Sequence, residues 1–438
     1  MSTFLIRDPL HVFVELDDTE RQLIDSPPFQ RLRHLHQLAT TFLIFPSATH
    51  KRFEHCIGVM ELAKRIYGVI IAKLPPHLKA AWGLENPATL EYWGRVVRLA
   101  ALCHDLGHLP FSHGIEGLLK EIDHEDLSRK VVEGPVIAEI LKCAQPPINV
   151  ADVVKLALER KKVTNLPYTP WEEILNQVIT GECFGADRMD YLLRDSYHLG
   201  VSHGHFDHHR LIECLRVLPL PPTPQGEVAG YALGIEQGGL RSAEALLLAR
   251  YMMFSQVYYH KTRIIFDFHL KEFISLWLQT QQDETAESLL KLTDNEVFVA
   301  LEKARSNPEE PGHSSAKCLL DRQHFRLLYQ RNPADDHLNH DAFALISSGL
   351  KAQFGDNIVP QQKNLKALEE VAKDVDFPVH QPGSPNSISS LALSQVLQVL
   401  PQTNYAYLYV KKDLREDARQ WLNANKNQLL QNKPQEEK

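Results

Sequence analysis

Apolar residues recur three and four apart over long stretches of this chain, the spacing of a helix that buries one face. HCIGVMELAKRIYGVIIAKL (55–74) and WGRVVRLAALCHDLGH (93–108) carry the pattern most fully, and it returns at 171–180, 187–198, 240–259 and 391–400. Strict alternation is rarer and shorter: HVFVEL (11–16), TFLIF (41–45), YALGI (231–235) and NYAYLYV (404–410) predict strands. The expectation is a mainly α protein with minor β pieces. PLPPTPQGE (219–227) and HQPGSPNS (380–387) break the periodicity with turn-forming residues and mark boundaries. The expected organisation is a core over 1–215 with an N-terminal segment 1–24, a mostly helical region over 216–425 packing on it, and a polar, disordered tail over 426–438.

Composition narrows the class. With 438 residues, 44% hydrophobic and 23% charged, the chain can bury a substantial core. No run approaches the roughly 18–20 apolar residues of a membrane helix, and MSTFLIRDPLHVFVELDD lacks the features of a secretory leader, so a cytoplasmic location is expected. Cys56, Cys103, Cys143, Cys183, Cys214 and Cys318 form no CxxC pair, which argues for free thiols. A formal charge of −8 gives no global attraction to nucleic-acid phosphates, so an anionic ligand must be drawn in by local Arg, Lys and His clusters.

The chemistry concentrates in ALCHDLGHLPFSHGIEGLL (101–119), an apolar stretch with three imidazoles and a carboxylate within the ten residues 104–113. Helical spacing predicts that His104 and His108 share a face with Asp105 beside them. Burying such a group needs positive charge between its members, and a divalent metal (Fe, Mn, Zn, Co or Mg) meets that need. A lone His-Asp pair is ordinarily a satisfied histidine beside a surface aspartate. Two further segments change the balance. KRFEHCIGV places His55 at a helix start with Arg52 three residues before it, and GADRMDYLLRDSYHLG sets Asp187, Tyr191 and Asp195 on one stripe with Arg188 at its edge.

An isolated His, then His-Asp, then a later Asp resembles the signature of HD-domain phosphohydrolases, here His55, His104–Asp105 and Asp187. FQRLRHLHQL (29–38), IFPSATHKRFEHCIGV (44–59), CHDLGHLPFSH (103–113), DRMDYLLRDSYHLGV (187–201) and YYHKTRI (258–264) further resemble the dNTP triphosphohydrolases of the sterile-alpha-motif and HD-domain type, over the catalytic HD core without a sterile-alpha-motif domain. The resemblance implies a helical HD core with short β-hairpins and a helical C-terminal elaboration. It also implies one divalent metal per active site (Mn, Fe, Zn or Mg) on His55, His104, Asp105 and Asp187, with further Mg accompanying the nucleotide. The reaction implied is dNTP plus water giving deoxynucleoside and triphosphate.

Residue by residue, the resemblance puts His108, His113 and His124 around the phosphates, with His113 as general acid oriented by Glu116, where relatives carry Asp. Arg52, Arg188 and Lys261 are candidates for clamping the triphosphate, while Arg250, a further substrate-site candidate, shares a helix face with Tyr258 two turns beyond it. Tyr191 and Asp195 match residues at the sugar, and Gln37 and Leu38 match positions that crowd its 2′ edge. Asp25, Gln30 and Arg33 match an activating guanine-nucleotide site between subunits, although Asp25 or Ser26 with Pro27 also suits a plain helix start. Phe4 stands where a phosphate-binding lysine is expected. Relatives form dimers or tetramers, so a homo-oligomer is expected, with no membrane partner. Two other classes remain open: an HD-type phosphodiesterase or nuclease on single-stranded nucleic acid, or a nucleotidase; and a non-catalytic nucleotide sensor.

Overall fold

A computed structural model describes residues 4–111, 123–221, 230–280, 285–362, 376–384, 386–400 and 405–431. The described chain divides into two units, one comprising residues up to Met253 with 285–295 and 376–400, the other 254–280, 296–362 and 405–431. The border falls after Met253 rather than at 215.

The first unit opens with an antiparallel hairpin, β1 (Phe4–Asp8) and β2 (Val12–Leu16), followed by α1 (Asp18–Asp25). Asp17 caps α1 in a reciprocal box with Glu20, which satisfies two N–H groups at the helix start. The centre of the unit is α2 (Arg52–Lys73), with α3 (Pro87–Cys103) packed against it. Buried Ile57, Met60, Leu62, Ala63, Ile66 and Ile70 cover most of the circumference of α2, as befits a helix enclosed by its neighbours. Around this pair stand α4 (His124–Glu133), α5 (Val150–Ala157), α6 (Pro170–Thr180) and α7 (Ala186–Leu199). Pro170 starts α6 behind a Thr169–Glu172 capping box, and Gly200 ends α7 at φ 69°, the left-handed conformation glycine adopts without strain. A four-stranded sheet joins β3 (Leu215–Pro219) and β4 (Tyr231–Glu236) to the strands Pro378–His380 and Ser387–Ser389, and α8 (Leu240–Met253) follows β4.

The second unit contains α9 (Lys261–Leu278) and a three-stranded antiparallel sheet with β5 (Arg326–Gln330) and β6 (Ile358–Gln362) flanking β7 (Ala406–Val410). Helices α10 (Ala342–Phe354) and α11 (Arg415–Gln431) pack beside it around Ile346, Leu350, Ile358, Leu408, Val410 and Leu422. Helix α11 extends through the start of the segment expected to fray.

The mainly α reading holds, with local corrections. TFLIF forms a 3-10 turn, Ala39–Leu43, rather than a strand. Among the described residues no strand pairs with it, and its N–H groups bond locally, Thr41 to the Leu38 carbonyl and Ile44 to that of Thr41. The helix expected over 93–108 stops at Cys103. Beyond it, a Cβ on Gly107 would meet the Ser128 backbone nitrogen at 2.0 Å, so the turn into His108 requires glycine for the close approach of α4. The helix expected over 240–259 changes after Met253 to a π turn, Phe254–Tyr258, and 391–400 forms two single turns, Ser390–Leu393 and Gln395–Gln398, each capped by a serine side chain. Strands β1, β3, β5 and β6 carried no alternation strong enough to foresee.

Gly58 fixes how closely α2 approaches α7. A Cβ there would lie 1.9 Å from Asp190 Oδ1 and 2.2 Å from Arg194 Nη2, both buried. Gly58→Ala is expected to destabilise the protein by about 2–5 kcal/mol, because overpacking also disturbs a buried ion pair. A melting temperature within 2 °C (about 0.5 kcal/mol) of wild type would contradict this close packing.

Candidate metal centre

Three helices bring four side chains together. His55 comes from the first turn of α2, His104 and Asp105 from the end of α3, and Asp187 from the first turn of α7. Ligand atoms of His55, His104 and Asp187 all lie within 4.8 Å of one another. Hydrogen bonds on the far side of each ring set the tautomers. His104 Nδ1 donates to the Ala101 carbonyl at 2.8 Å, and His55 Nδ1 donates to Asp190 Oδ2 at 2.9 Å. Each Nε2 therefore turns a lone pair inward. His55 Nε2 faces Asp187 Oδ1 at 3.0 Å, and His104 Nε2, buried and without a hydrogen bond, faces Asp105 Oδ1 at 3.3 Å and Asp187 Oδ1 at 3.6 Å.

Acceptors thus converge without enough donors. A cation resolves this, and two imidazole nitrogens with two carboxylates suit a first-row divalent ion or Mg. Electrostatics agrees in direction. Burial disfavours charge on His55, yet its bonds to Asp187 and Asp190 outweigh that and push its pKa up to about 10. Burial opposes ionisation of Asp105 as well, but His104 and Arg52 hold its carboxyl well below the usual range. Cys56 Sγ also lies within 4.8 Å of ligand atoms of His104 and Asp105. Burial and Asp105 push its thiol pKa up, which keeps it protonated and leaves the oxygen and imidazole set as the better donors.

Beneath the centre lies a network that the sequence reading missed. Asp190 receives His11 Nε2 at 3.3 Å as well as His55, and is clasped by Arg194 through Nε at 2.8 Å and Nη2 at 2.9 Å. Arg194 Nη1 reaches Asp8 Oδ2 at 2.9 Å, and the Asp8 carboxylate accepts the Leu10 and His11 backbone N–H groups. All four side chains are buried. The available signal was the i, i+4 pair Asp190 and Arg194 in DRMDYLLRD, next to the stripe that drew attention.

The other candidates fall into place unevenly. Arg52 bonds Asp105, and His108 Nε2 lies 3.1 Å from Asp105 Oδ1, its ring stacked on His124 at 4.3 Å. Burial and Arg52 push His108 down to about 3, so it is a neutral imidazole here. His113 and Glu116 lie outside the described residues. Arg188 bonds Glu182, and burial together with nearby Arg188 pushes Arg250 below its ordinary value, so the two guanidiniums and Tyr191 share one neighbourhood. Asp195 is held by His50 at 2.7 Å, with His198 stacked on His50 at 4.5 Å. Gln37 Oε1 is buried without a hydrogen bond, and Leu38 is buried next to it in sequence. Tyr258 and Lys261 belong to the second unit, where Tyr258 faces Phe254 and the Lys261 carbonyl accepts from Tyr409. Asp25 pairs with Arg21, while Gln30 accepts from Arg33, whose guanidinium lies 3.5 Å above the Phe53 ring.

Comparison with known proteins decides the family. The HD domain pattern matches residues 52–195, and the HD-associated region matches 206–334. A crystal structure of a hypothetical protein from Aquifex aeolicus superposes with a TM-score of 0.75 at 32% identity, covering 96% of this chain and 100% of that one. The chain belongs to the HD-domain family. The uncharacterized YwfO of Bacillus subtilis is 35% identical over 261 residues, 58% of this chain and 52% of that protein. The deoxynucleoside triphosphate triphosphohydrolase SAMHD1 of Mus musculus is 30% identical over 238 residues, 49% of this chain and 34% of that protein. A Dictyostelium discoideum homologue of that enzyme is 36% identical over 224 residues, 50% of this chain and 40% of its own length. The chain thus spans about half the length of YwfO and about a third of the mouse enzyme. Among the described residues no helix is long and apolar enough to cross a membrane.

Two measurements test this account. Asp190→Asn weakens the anchor of His55, so affinity for Mn²⁺ is expected to fall about 10- to 100-fold in calorimetric titration; unchanged affinity would remove Asp190 from support of the centre. Glu125, in the first turn of α4, has its carboxyl pushed up to about 7 by burial and by Glu159. From about pH 4.5 to 7 the native chain holds a proton that the unfolded chain has released, so stability falls as pH rises through that window. Glu125→Gln lacks this decline, and its melting temperature should gain on wild type by a few degrees between pH 5 and 8; a constant difference would contradict the shift.

Proposed function

We propose that this chain is a metal-dependent dNTP triphosphohydrolase, converting dNTP and water to deoxynucleoside and inorganic triphosphate. The observation that carries the reading is the cluster of His55, His104, Asp105 and Asp187, whose lone pairs converge with too few donors between them. The neighbouring Arg188 and Arg250, with Tyr191 beside them, add cationic groups suited to a polyphosphate, and the naming of the mouse and Dictyostelium relatives supports this substrate class.

A divalent cation (Mn, Fe, Zn or Mg) held by the four residues supplies Lewis-acid polarisation of a phosphoryl oxygen and a water of lowered pKa. The chain's own residues do the rest. Arg52 keeps Asp105 ionised and oriented, and Arg188 and Arg250 bind the triphosphate, Arg188 exchanging Glu182 for phosphate oxygens. His50 orients Asp195 toward the sugar, with Tyr191 packing on its ring. Gln37 Oε1 offers an acceptor to a sugar hydroxyl, while Leu38 gives a 2′-hydroxyl no partner, which disfavours ribonucleotides. His113 serves as general acid with Glu116 as its partner, donating the proton to the leaving 5′-oxygen. Asp25, Gln30 and Arg33 take an activating nucleotide in a homo-oligomer, and the protein works in the cytoplasm.

Purified protein incubated with each dNTP and Mn²⁺ or Mg²⁺ should release triphosphate and deoxynucleoside. Pyrophosphate with monophosphate, or turnover of single-stranded nucleic acid instead, would overturn the proposal. Asp187→Ala should lose bound metal and at least about a thousandfold in turnover together, since the ion contributes several kcal/mol; an active Asp187→Ala would remove it from the metal set.

A further inference from the structure

Asp294 is almost 190 residues from the His-Asp pair, yet it ties together three segments of the centre. It lies in the first unit and is 1% exposed. One carboxylate oxygen accepts the His36 backbone N–H at 2.7 Å and His36 Nδ1–H at 2.6 Å, and the other accepts the Phe111 backbone N–H at 2.9 Å. With its ring proton on Nδ1, His36 accepts at Nε2 from Lys51 Nζ at 2.7 Å, and the two residues form an isolated antiparallel bridge.

Each tied residue sits at the edge of the site. His36 precedes Gln37 and Leu38, Lys51 precedes Arg52, and Phe111 closes the segment that begins with His104 and Asp105. Phe111 is held at φ 52°, a left-handed conformation that a bulky side chain adopts at a cost of roughly 1–3 kcal/mol. Its ring lies parallel to His36 at 6.4 Å, so the same two partners fix both its backbone and its side chain. Arg31 strengthens the tie by bonding the Leu292 carbonyl at 3.0 Å and the His108 carbonyl at 2.7 Å. A buried carboxylate with three N–H donors is a rigid anchor, because breaking any one bond leaves charge or a donor unsatisfied.

Resting on the phosphohydrolase reading above, we propose that Asp294 is a positioning residue of the reaction: through His36, Lys51 and Phe111 it sets the placement of Gln37, Arg52 and the His104–Phe111 segment. Asp294→Asn turns one acceptor oxygen into a donor and strands one of the three N–H groups. His36→Phe keeps the stack on Phe42 and Phe111 but removes both ring nitrogens.

The test uses the full chain with Mn²⁺ and reads dNTP turnover, bound metal, melting temperature and amide exchange at Gln37, Arg52 and Phe111. Both variants should lose about tenfold or more in kcat, the scale of small misplacements at a reacting centre, with KM changed less than about threefold. Bound metal should stay at the wild-type level and exchange at the three amides should quicken. Wild-type kcat in both variants would overturn the inference, as would a loss of kcat that follows loss of metal or of cooperative melting. If wild-type protein hydrolyses no dNTP, the phosphohydrolase reading fails on its own, and the tie is then judged by exchange: unchanged protection at the three amides in Asp294→Asn would end it.

Discussion

The constraint on which the rest depends is an excess of acceptors in a buried place. His55 Nε2, His104 Nε2 and the carboxylates of Asp105 and Asp187 point at one another with too few donors between them. A folded chain tolerates this only if positive charge resides there, as a proton or as a cation. The upward shift of His55 is the protonic form of that demand, and a divalent ion with this donor set is the other. Both arise because residues at the start of α2, past the end of α3 and at the start of α7 meet, and the close approach of α2 to α7 requires Gly58.

Charge then alternates outward from the centre. Asp190 lies between His55 and the buried Arg194, and Asp8 completes the row on the far side of Arg194. On another flank Arg52 stands against Asp105, whose second oxygen lies near a neutral His108. Farther out, Arg188 and Arg250 are close enough to repel, and such a pair accommodates an anion more readily than a third cation. Within the Asp8–Arg194–Asp190 row and the Arg52–Asp105 pair each ionised side chain is held by an opposite one, so orientation there is set by hydrogen bonds rather than by packing alone. Removing one partner leaves an uncompensated buried charge, so this network is stiff.

Loops complete what the helices begin. The 3-10 turn at 39–43, the bridge between His36 and Lys51 and the left-handed Phe111 have little regular structure to support them. Side-chain anchors replace the missing ladders, with Asp294 serving segments far apart in the chain and Ser128 holding the turn at Gly107 through its hydroxyl. Such anchors let irregular backbone hold fixed geometry next to a chemical centre.

The sequence by itself determined the helical architecture around the centre and the four residues that meet there. Helical periodicity is local, and the grouping of His55, His104–Asp105 and Asp187 was legible through its resemblance to the HD-domain signature. Asp187, Tyr191 and Asp195 fell on one helix as their spacing requires. Only the tertiary structure decided that TFLIF is a turn, since a strand exists only where another lies beside it. Helix α3 likewise ends at Cys103 because the backbone of α4 approaches Gly107, a contact that no local pattern encodes. Asp8, His11, Asp190, Arg194 and Asp294 looked like ordinary polar residues in sequence, because their partners lie in distant segments. Burial gives them their importance, and burial belongs to the assembled fold rather than to any stretch of chain.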